Sequence, residues 1–316
     1  MTYSNSSLVN HTHLSPNHSG IRKYPITKIT IHHMAGNLSV AACGRVFANK
    51  KRAASSNYGI DSQGRVGLYV EEKNRSWCSS DADNDNRAVT IEVANDTIGG
   101  DWHVSNEALA KLIELCVDIC QRNNIERLNY TNDKTGNLTM HNWFAPTTCP
   151  GPYLSSKFPY IAEEVNKRLA VLSNPEELSS MVSGLHVGDV IKLKANSTYW
   201  NGKTIPAWVF KKTLYYRGEN DKGIIFSTLK KGAVTGVVEK SNVIPAAAVT
   251  VTPEYRERSV KVTCDDLNVR VEPGIESAIV DLLHKNDIRI IDAQEGNWGR
   301  IKGAEGWINL KYTRGI

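Results

Sequence analysis

Two histidines and one cysteine carry the clearest chemical signal in this chain. His141 and Cys149 lie eight residues apart in a segment that prolines keep out of regular helix. Far upstream, the stretch ITIHHMAG offers a second imidazole, from His32 or His33. Two imidazoles and a thiolate suit Zn²⁺, and three protein ligands leave a fourth position open for water or substrate, as in catalytic zinc sites. The pattern therefore predicts a centre that activates water on a metal.

Strand alternation distinguishes the two neighbouring histidines. The segment Lys28–His33 reads as a β-strand, in which successive side chains point to opposite faces. Ile29 and Ile31 share one face, which we expect to pack against helices. His32 then points to the open, polar face, whereas His33 is in phase with the isoleucines. This favours His32 over His33 as the ligand.

A carboxylate occupies the equivalent position in a second apolar strand. In AVTIEVA the side chains of Val89, Ile91 and Val93 form the apolar face, and Glu92 lies on the other. A glutamate among such residues is costly unless it has a partner or a function. Glu92 is a candidate general base that takes a proton from metal-bound water. A structural ion pair, or a place at the rim of the cleft, is the alternative.

Other residues are candidates for the same cleft. Tyr58 or Thr147 would stabilise a polarised carbonyl oxygen through a hydroxyl, and Thr147 precedes Cys149 by two positions. Trp77 would stack on a sugar or a peptide, and Asn57 is a further candidate for substrate binding. A cysteine–histidine nucleophile pair is the rival chemistry, but it leaves His32 without a function.

Composition narrows the classes of protein. The 316 residues, 41% of them hydrophobic, suffice for two or three domains with real cores. The net charge of +5 is mild and has no basic run, which argues against nucleic-acid binding. We find no apolar stretch near the roughly 20 residues that span a bilayer, and the polar first residues do not resemble a signal peptide. The six cysteines do not form a disulfide pattern.

Element signals divide the chain into three parts. Strands and amphipathic helices alternate up to about residue 172, after an irregular, flexible lead-in over residues 1–20. This predicts an α/β or α+β domain over 1–174. After a linker at 173–184, short β-type runs predict two small all-β domains over 184–247 and 258–316, joined by a linker at 245–257.

Four segments together resemble a known family. IHHMAG, NYGIDSQGRV, DNDNRAVTIEVAN and MHNWFAPTTCPGPYL are similar, in this order, to the zinc-dependent N-acetylmuramoyl-L-alanine amidases related to peptidoglycan recognition proteins. The resemblance covers about residues 20–172, and it implies an α/β fold with a mixed central sheet, helices on one side and a zinc cleft on the other. It implies that His32, His141 and Cys149 are the zinc ligands and that Glu92 is the general base.

Across three further positions, the chain matches the family only in part. The resemblance implies a catalytic role for Tyr58, and it places Thr147 where some members carry a lysine. Cys78 stands where many members carry a histidine after the tryptophan, so the role of that histidine is not transferred to Cys78.

The C-terminal segments resemble bacterial SH3-like cell-wall-binding modules. LNVRVEPG and NWGRIKGAEGWINLKY carry this likeness in the last part, and GDVIKLKANSTYWNGKTIPAWV carries a more divergent one before it. Trp200, Trp208, Trp298 and Trp307 are candidate binding aromatics. The two domains are therefore expected to fold as SH3-like barrels that hold the protein on bacterial peptidoglycan.

Together these observations predict a phage endolysin that hydrolyses the amide between N-acetylmuramic acid and L-alanine. The alternatives are a peptidoglycan-binding protein without catalysis and a zinc endopeptidase that acts on the stem peptide. We expect synthesis in the host cytoplasm, release through membrane holes made by a holin, and action at the wall. A bacterial autolysin remains an alternative, and the oligomeric state, the host and the preferred stem peptide are open.

Overall fold

The chain divides into two compact units, Met1–Thr252 and Pro253–Ile316. A computed structural model describes residues 3–194, 197–249, 258–295, 297–304 and 306–315. Part of the predicted linker at 245–257 lies outside the described residues.

The first unit contains both helices and strands. Its helices are α1 (Val40–Ala48), α2 (Ala82–Arg87), α3 (Asn106–Arg122), α4 (Pro152–Ser156), α5 (Phe158–Ser173), α6 (Pro175–Ser183) and α7 (Ala246–Val249). Its strands are β1 (Val9–Thr12), β2 (His18–Ile21), β3 (Lys28–His33), β4 (Tyr58–Ile60), β5 (Val66–Leu68), β6 (Asn74–Ser76), β7 (Ala88–Val93), β8 (Leu138–Met140), β9 (Val190–Leu193), β10 (Leu214–Asn220), β11 (Gly223–Ser227), β12 (Gly236–Val238) and β13 (Val243–Pro245).

A mixed six-stranded sheet forms the centre of the first unit. Its spatial order is β1-β5-β4-β7-β3-β8. β4, β7, β3 and β8 run parallel to one another, whereas β4 and β5 form an antiparallel hairpin. The carboxyl ends of β7, β3 and β8 therefore meet at one edge of the sheet. The α/β architecture predicted for this part of the chain is confirmed.

One face of this sheet is apolar and packs against helices. Ile29 and Ile31 of β3 and Ile91 of β7 are fully buried in a core with residues of α3 and α5. The helix α3 begins after Ser105, whose hydroxyl oxygen accepts a hydrogen bond from the Ala108 N–H. Its buried residues lie along the stripe that the sequence predicts.

The opposite face of the sheet is polar but well ordered. The hydroxyl oxygens of Thr30 and Thr139 lie 2.9 Å apart on β3 and β8. The Asn84 amide of α2 donates to Thr30, and the hydroxyl oxygens of Ser76 and Thr90 lie 2.8 Å apart. These side chains hydrogen-bond to one another where water is excluded, and Asn84 Oδ1 is the atom left without a partner among the described residues. Alternation of side chains thus builds one polar and one apolar face, as predicted for β3 and β7.

The predicted flexible lead-in is wrong. β1 joins the edge of the central sheet beside β5, and β2 pairs with β6 in a separate two-stranded sheet. The Ser15 and Asn17 side chains are buried and donate to the Phe47 carbonyl oxygen. Polar side chains in this segment satisfy backbone groups of the domain, so polarity here does not indicate disorder.

The predicted linker at 173–184 is also wrong, because this segment contains α6. The Asn174 side chain caps α6 by accepting the N–H groups of Glu176 and Glu177. Leu178 of α6 belongs to the core formed by the central sheet, α3 and α5, as do Ile244 and Ala248 further along the chain. The proposed boundary between domains 1–174 and 184–247 therefore stays a prediction.

The remaining strands of the first unit form a five-stranded antiparallel sheet. Its spatial order is β12-β11-β10-β9-β13. Phe226 and Ile224 of β11 are fully buried in its core. This confirms β structure for the segment, while the SH3-like barrel stays a prediction.

In the second unit, the described residues form strands and one short 3-10 turn, Leu310–Tyr312. Its strands are β14 (Arg258–Val262), β15 (Asp266–Arg270), β16 (Ile279–His284), β17 (Ile288–Glu295), β18 (Trp298–Ile301), β19 (Trp307–Asn309) and β20 (Thr313–Gly315). They form one sheet in the order β16-β15-β19-β18-β17-β14-β20. Across the described parts of both units, none of the helices has the length and apolar character needed to cross a bilayer.

Candidate metal centre

Two adjacent parallel strands bring the histidines together. β3 and β8 pair with Ile31 opposite Met140, so His32 and His141 follow in the same register. Successive residues alternate between faces, and both imidazoles therefore emerge on the polar side of the sheet. Their ring centroids are 4.6 Å apart. A 3-10 turn, His141–Trp143, begins where β8 ends.

The proline-rich loop after this turn returns Cys149 to the histidines. The Asn142 N–H donates to the Cys149 carbonyl oxygen over 3.1 Å, which closes the loop. The Cys149 Sγ then lies 3.7 Å from Nδ1 of His32. It also accepts the backbone N–H of His33 at 3.4 Å. One ligand atom from each of His32, His141 and Cys149 lies within 4.8 Å of the others.

This arrangement fits a zinc ion on two grounds, a ligand distance and an unpartnered buried nitrogen. Tetrahedral zinc with bonds of about 2.0–2.3 Å places a sulfur and a nitrogen ligand roughly 3.5 Å apart, close to the 3.7 Å between Cys149 Sγ and His32 Nδ1. The Nε2 atom of His141 is buried without a hydrogen-bond partner among the described residues. Such an orphaned nitrogen is costly unless something binds it.

The electrostatics of the three side chains point the same way. Burial, and then the neighbouring imidazoles, lower the pKa of His32 well below its usual value. Burial also lowers the pKa of His141, so both rings stay neutral and able to bind a metal. Burial, followed by the charge of Glu92, raises the pKa of the Cys149 thiol. A divalent cation would supply the positive charge that its thiolate needs.

Glu92 lies directly beside His32 on the polar face. β7 pairs with β3 in parallel, with Glu92 opposite His32. Its Oε2 atom is buried without a hydrogen-bond partner among the described residues. Burial raises the pKa of Glu92 to about 8, and the charge of Arg52 opposes this shift. An unpaired carboxylate with a raised pKa next to metal ligands has the properties of a general base.

A cleft opens beside these groups. It has a volume of about 380 Å³ and is lined by His141, Trp77, Cys78, Arg75, Ser80, Asp81, Asp85, Ala53, Ala54 and Ala82. The Trp77 Nε1–H donates to the Ser19 hydroxyl over 2.6 Å, which orients the indole. The predicted role of Trp77 in substrate binding stays a prediction. A larger groove of about 550 Å³ lies along the end of α1 and contains none of the ligand candidates.

Thr147 lies next to Cys149 but is bound within the loop. Its hydroxyl oxygen accepts the Cys149 N–H over 3.2 Å. Its hydroxyl proton therefore remains able to donate elsewhere, and the predicted catalytic role of Thr147 stays a prediction.

The predicted role of Tyr58 is wrong. Tyr58 pairs with Ile91, whereas Gly59 pairs with Glu92, so the tyrosine points to the apolar face. Its side chain is fully buried, and its hydroxyl donates to Glu72 Oε1 over 2.6 Å and accepts the Ser6 N–H. The sequence held a signal for this, because Tyr58 is in phase with Ile60.

Asn57 is not a substrate contact either. It is fully buried, and its side chain points away from the face that Tyr58 occupies. Its Oδ1 accepts Arg22 Nη2 and the Thr90 N–H, and its Nδ2 donates to the Val70 carbonyl oxygen. Asn57 therefore ties neighbouring segments together below the cleft. Burial of every polar group of its side chain leaves none for a ligand.

The sequence assigns no role to Cys78, yet the structure places this residue beside the candidate metal centre. A ligand atom of Cys78 lies within 4.8 Å of those of both His32 and Glu92. Its position two residues after β6 held no periodic signal, because the segment is a loop.

Replacing Tyr58 with phenylalanine tests its corrected position. We expect the free energy of unfolding to fall by about 1–3 kcal/mol, because hydrogen bonds to buried Glu72 and Ser6 are lost. The activity of the folded variant should stay near that of the unchanged protein. Denaturant unfolding and turnover measured on the same preparation check both. A large loss of turnover without a loss of stability would restore the catalytic role.

Comparison with known proteins adds one sequence match. No curated protein matches the chain. Aligned solved structures include a mutant endolysin from Bacillus subtilis, with 20% identity and a TM-score of 0.40 over 50% of this chain and 99% of that one. They also include the catalytic domain of XlyA, with 19% identity and a TM-score of 0.39 over 50% and 99%. A third is the Staphylococcus aureus hydrolase AmiA in complex with its ligand, with 13% identity and a TM-score of 0.40 over 53% and 92%.

The family match covers the segment that builds the metal centre. This segment contains His32, Glu92, His141 and Cys149, and the larger part of the chain lies outside it. Residues 22–152 match the family described as N-acetylmuramoyl-L-alanine amidase.

Proposed function

We propose that this protein is a zinc-dependent peptidoglycan amidase that cleaves the bond between N-acetylmuramic acid and L-alanine. The observation that carries the proposal is the group His32, His141 and Cys149, gathered within 4.8 Å beside an open cleft. The family match over residues 22–152 supports the choice of substrate. The unpaired carboxylate of Glu92 supports hydrolysis over simple binding.

The mechanism follows from the positions of these side chains. His32, His141 and Cys149 would hold Zn²⁺, which when bound lowers the pKa of water to about 7 and polarises a carbonyl. Glu92 accepts a proton from the attacking water while the oxygen of that water bonds to the lactyl carbonyl carbon. When the carbon–nitrogen bond breaks, Glu92 returns that proton to the amine of L-alanine. The Thr147 hydroxyl, which has a proton left to donate, would stabilise the oxyanion.

Fragment analysis tests the substrate bond. We expect the purified protein to release intact stem peptides with a free L-alanine amine from purified walls, as measured by mass spectrometry. A chelator should abolish the release and added Zn²⁺ should restore it. Fragments cut within the stem or cross-bridge would identify an endopeptidase. Walls that bind the protein but stay uncleaved would identify a recognition protein without catalysis.

We further propose that the two antiparallel sheets attach the enzyme to the wall as SH3-like modules. Trp200 and Trp208 in the first unit are 46% and 54% exposed, which suits stacking on wall sugars or peptides. Trp298 and Trp307 in the second unit are half-buried. Linked weak modules raise the effective concentration of the enzyme at its substrate.

Removal of residues 253–316 tests this attachment. The cut follows the boundary of the first compact unit, so its core stays whole. We expect sedimentation with purified walls to weaken by at least about 10-fold, because one of the linked binding modules is lost. Hydrolysis of a small soluble muropeptide should be unchanged. Equal wall binding by both forms would show that the second unit has another function.

A further inference from the structure

Cys78 lies where the cleft meets the metal centre. The loop that carries it follows β6 and is fixed by Asp85, whose Oδ2 accepts the Cys78 N–H over 3.0 Å. Asp85 also accepts the N–H and hydroxyl of Ser79. The thiol is thus held in place on the wall of the cleft, and it is partly exposed.

Three different donor types converge here. His32 nitrogen, Cys78 sulfur and Glu92 oxygen all lie within 4.8 Å of one another, as closely grouped as the first ligand set. The His32 side chain is 1% exposed, and its Nε2 has no partner among the described residues. The Oε2 atom of Glu92 likewise has no hydrogen-bond partner among the described residues. Imidazole, thiolate and carboxylate together suit zinc and softer divalent ions.

The two sets describe two metal positions. Ligand atoms around one zinc ion lie at most about 4.6 Å apart, twice the longest bond. Among the described residues, two candidate groups have ligand atoms within 4.8 Å of one another, a distance close to this limit: His32, His141, Cys149 and, separately, His32, Cys78, Glu92. They share only His32, whose ring offers two nitrogens. Because Cys149 Sγ lies beside Nδ1 of His32, an ion in the second set would use the unpartnered Nε2 and leave the first position intact.

We propose that His32, Cys78 and Glu92 form a second metal position that inhibits the enzyme when divalent metal is in excess. This inference rests on the proposed function, because it concerns the regulation of the same centre. Binding releases the proton of the Cys78 thiol and occupies the Glu92 carboxylate. A coordinated carboxylate cannot accept the proton of the attacking water, so hydrolysis stops while the metal is bound.

A cadmium titration of the metal-free, full-length protein tests the second position directly. Cd²⁺ bound to thiolates absorbs in the ultraviolet, and the plateau reports the number of thiolates bound. Cys43, Cys116 and Cys120 are buried in cores, which leaves Cys78, Cys149 and Cys264 partly exposed. We expect the Cys78→Ser plateau to be about half that of the unchanged protein, because one of two thiolates is lost.

Two further variants make the titration decisive. Cys264→Ser is the matched control and should keep the full plateau. Cys149→Ser should retain about half of it, now through Cys78, since each variant keeps one thiolate of the pair. A full plateau in Cys78→Ser, with a thermal melting curve like that of the unchanged protein, would overturn the proposal. Loss of all absorbance in Cys149→Ser would overturn it as well.

The zinc dependence of hydrolysis tests the inhibition. With the unchanged protein, turnover should rise to a maximum and then fall as Zn²⁺ increases. In Cys78→Ser the inhibitory midpoint should move to at least about 10-fold higher Zn²⁺, the effect of losing a ligand or its close support. An unmoved midpoint contradicts the inference. Absence of hydrolysis at every Zn²⁺ concentration contradicts the proposed function instead, and the cadmium plateau still decides whether the second position exists.

Discussion

Replacing Cys149 with serine is expected to lower amide hydrolysis by at least about 10³-fold, because about 4 kcal/mol of metal-dependent stabilisation of the transition state is lost. Serine is close in size, so packing around the loop should change little. Its hydroxyl is a far weaker zinc ligand than the thiolate, whose sulfur lies 3.7 Å from His32 Nδ1 in the structure. Turnover of a soluble muropeptide measures the effect without any contribution from wall binding.

Metal content separates this prediction from nucleophilic catalysis by Cys149. Both mechanisms predict an inactive serine variant. Only the metal mechanism predicts that, in a Cys78→Ser background that lacks the second position, Cys149→Ser lowers bound zinc from about one ion per chain to well below that level. Cys264→Ser, in the second unit, is the matched control and should keep both activity and metal. An inactive Cys78→Ser/Cys149→Ser protein that still holds about one zinc ion, together with an unchanged protein that resists chelators, would favour the cysteine–histidine pair.

Strand periodicity made part of this site predictable from the residues alone. In β3 and β7 every second side chain faces the same way, so the isoleucines fix the face of His32 and Glu92. The two strands then pair in parallel with His32 opposite Glu92, which periodicity does not specify. The loop position of Cys149 has no period at all, so its role rests on the residue type and its spacing from His141, and the resemblance implies the same role.

The errors have physical causes as well. The resemblance places Tyr58 in the cleft. The alternation of side chains along a strand, which favours His32 as a ligand, instead puts Tyr58 on the same buried face as Ile60. The first twenty residues are polar, but their side chains bind backbone groups of the domain, as Asn17 does at the Phe47 carbonyl. Such long-range hydrogen bonds depend on the tertiary fold. α6 was missed because its serines and Pro175 suggest a linker, while Asn174 in fact caps a helix.

Replacing Glu92 with glutamine is expected to lower hydrolysis by about 10²–10⁴-fold, the usual contribution of general acid–base catalysis. The amide has nearly the same shape but cannot take up the proton of the attacking water. His32, His141 and Cys149 are unchanged, so bound zinc should stay as in the unchanged protein. Turnover and metal content measured on one preparation check both parts. Glu126→Gln, an exposed glutamate, is the control and should alter neither.

Stability should move in the opposite direction from activity in this variant. Burial raises the pKa of Glu92 to about 8, which shows that the fold disfavours its ionised form when no cation is bound. Glutamine carries no charge to desolvate, so the metal-free variant should melt at the same temperature as the unchanged protein or higher. A variant that is less stable and still active would identify Glu92 as a structural carboxylate. A more stable and inactive one indicates that this position serves chemistry at the expense of the fold.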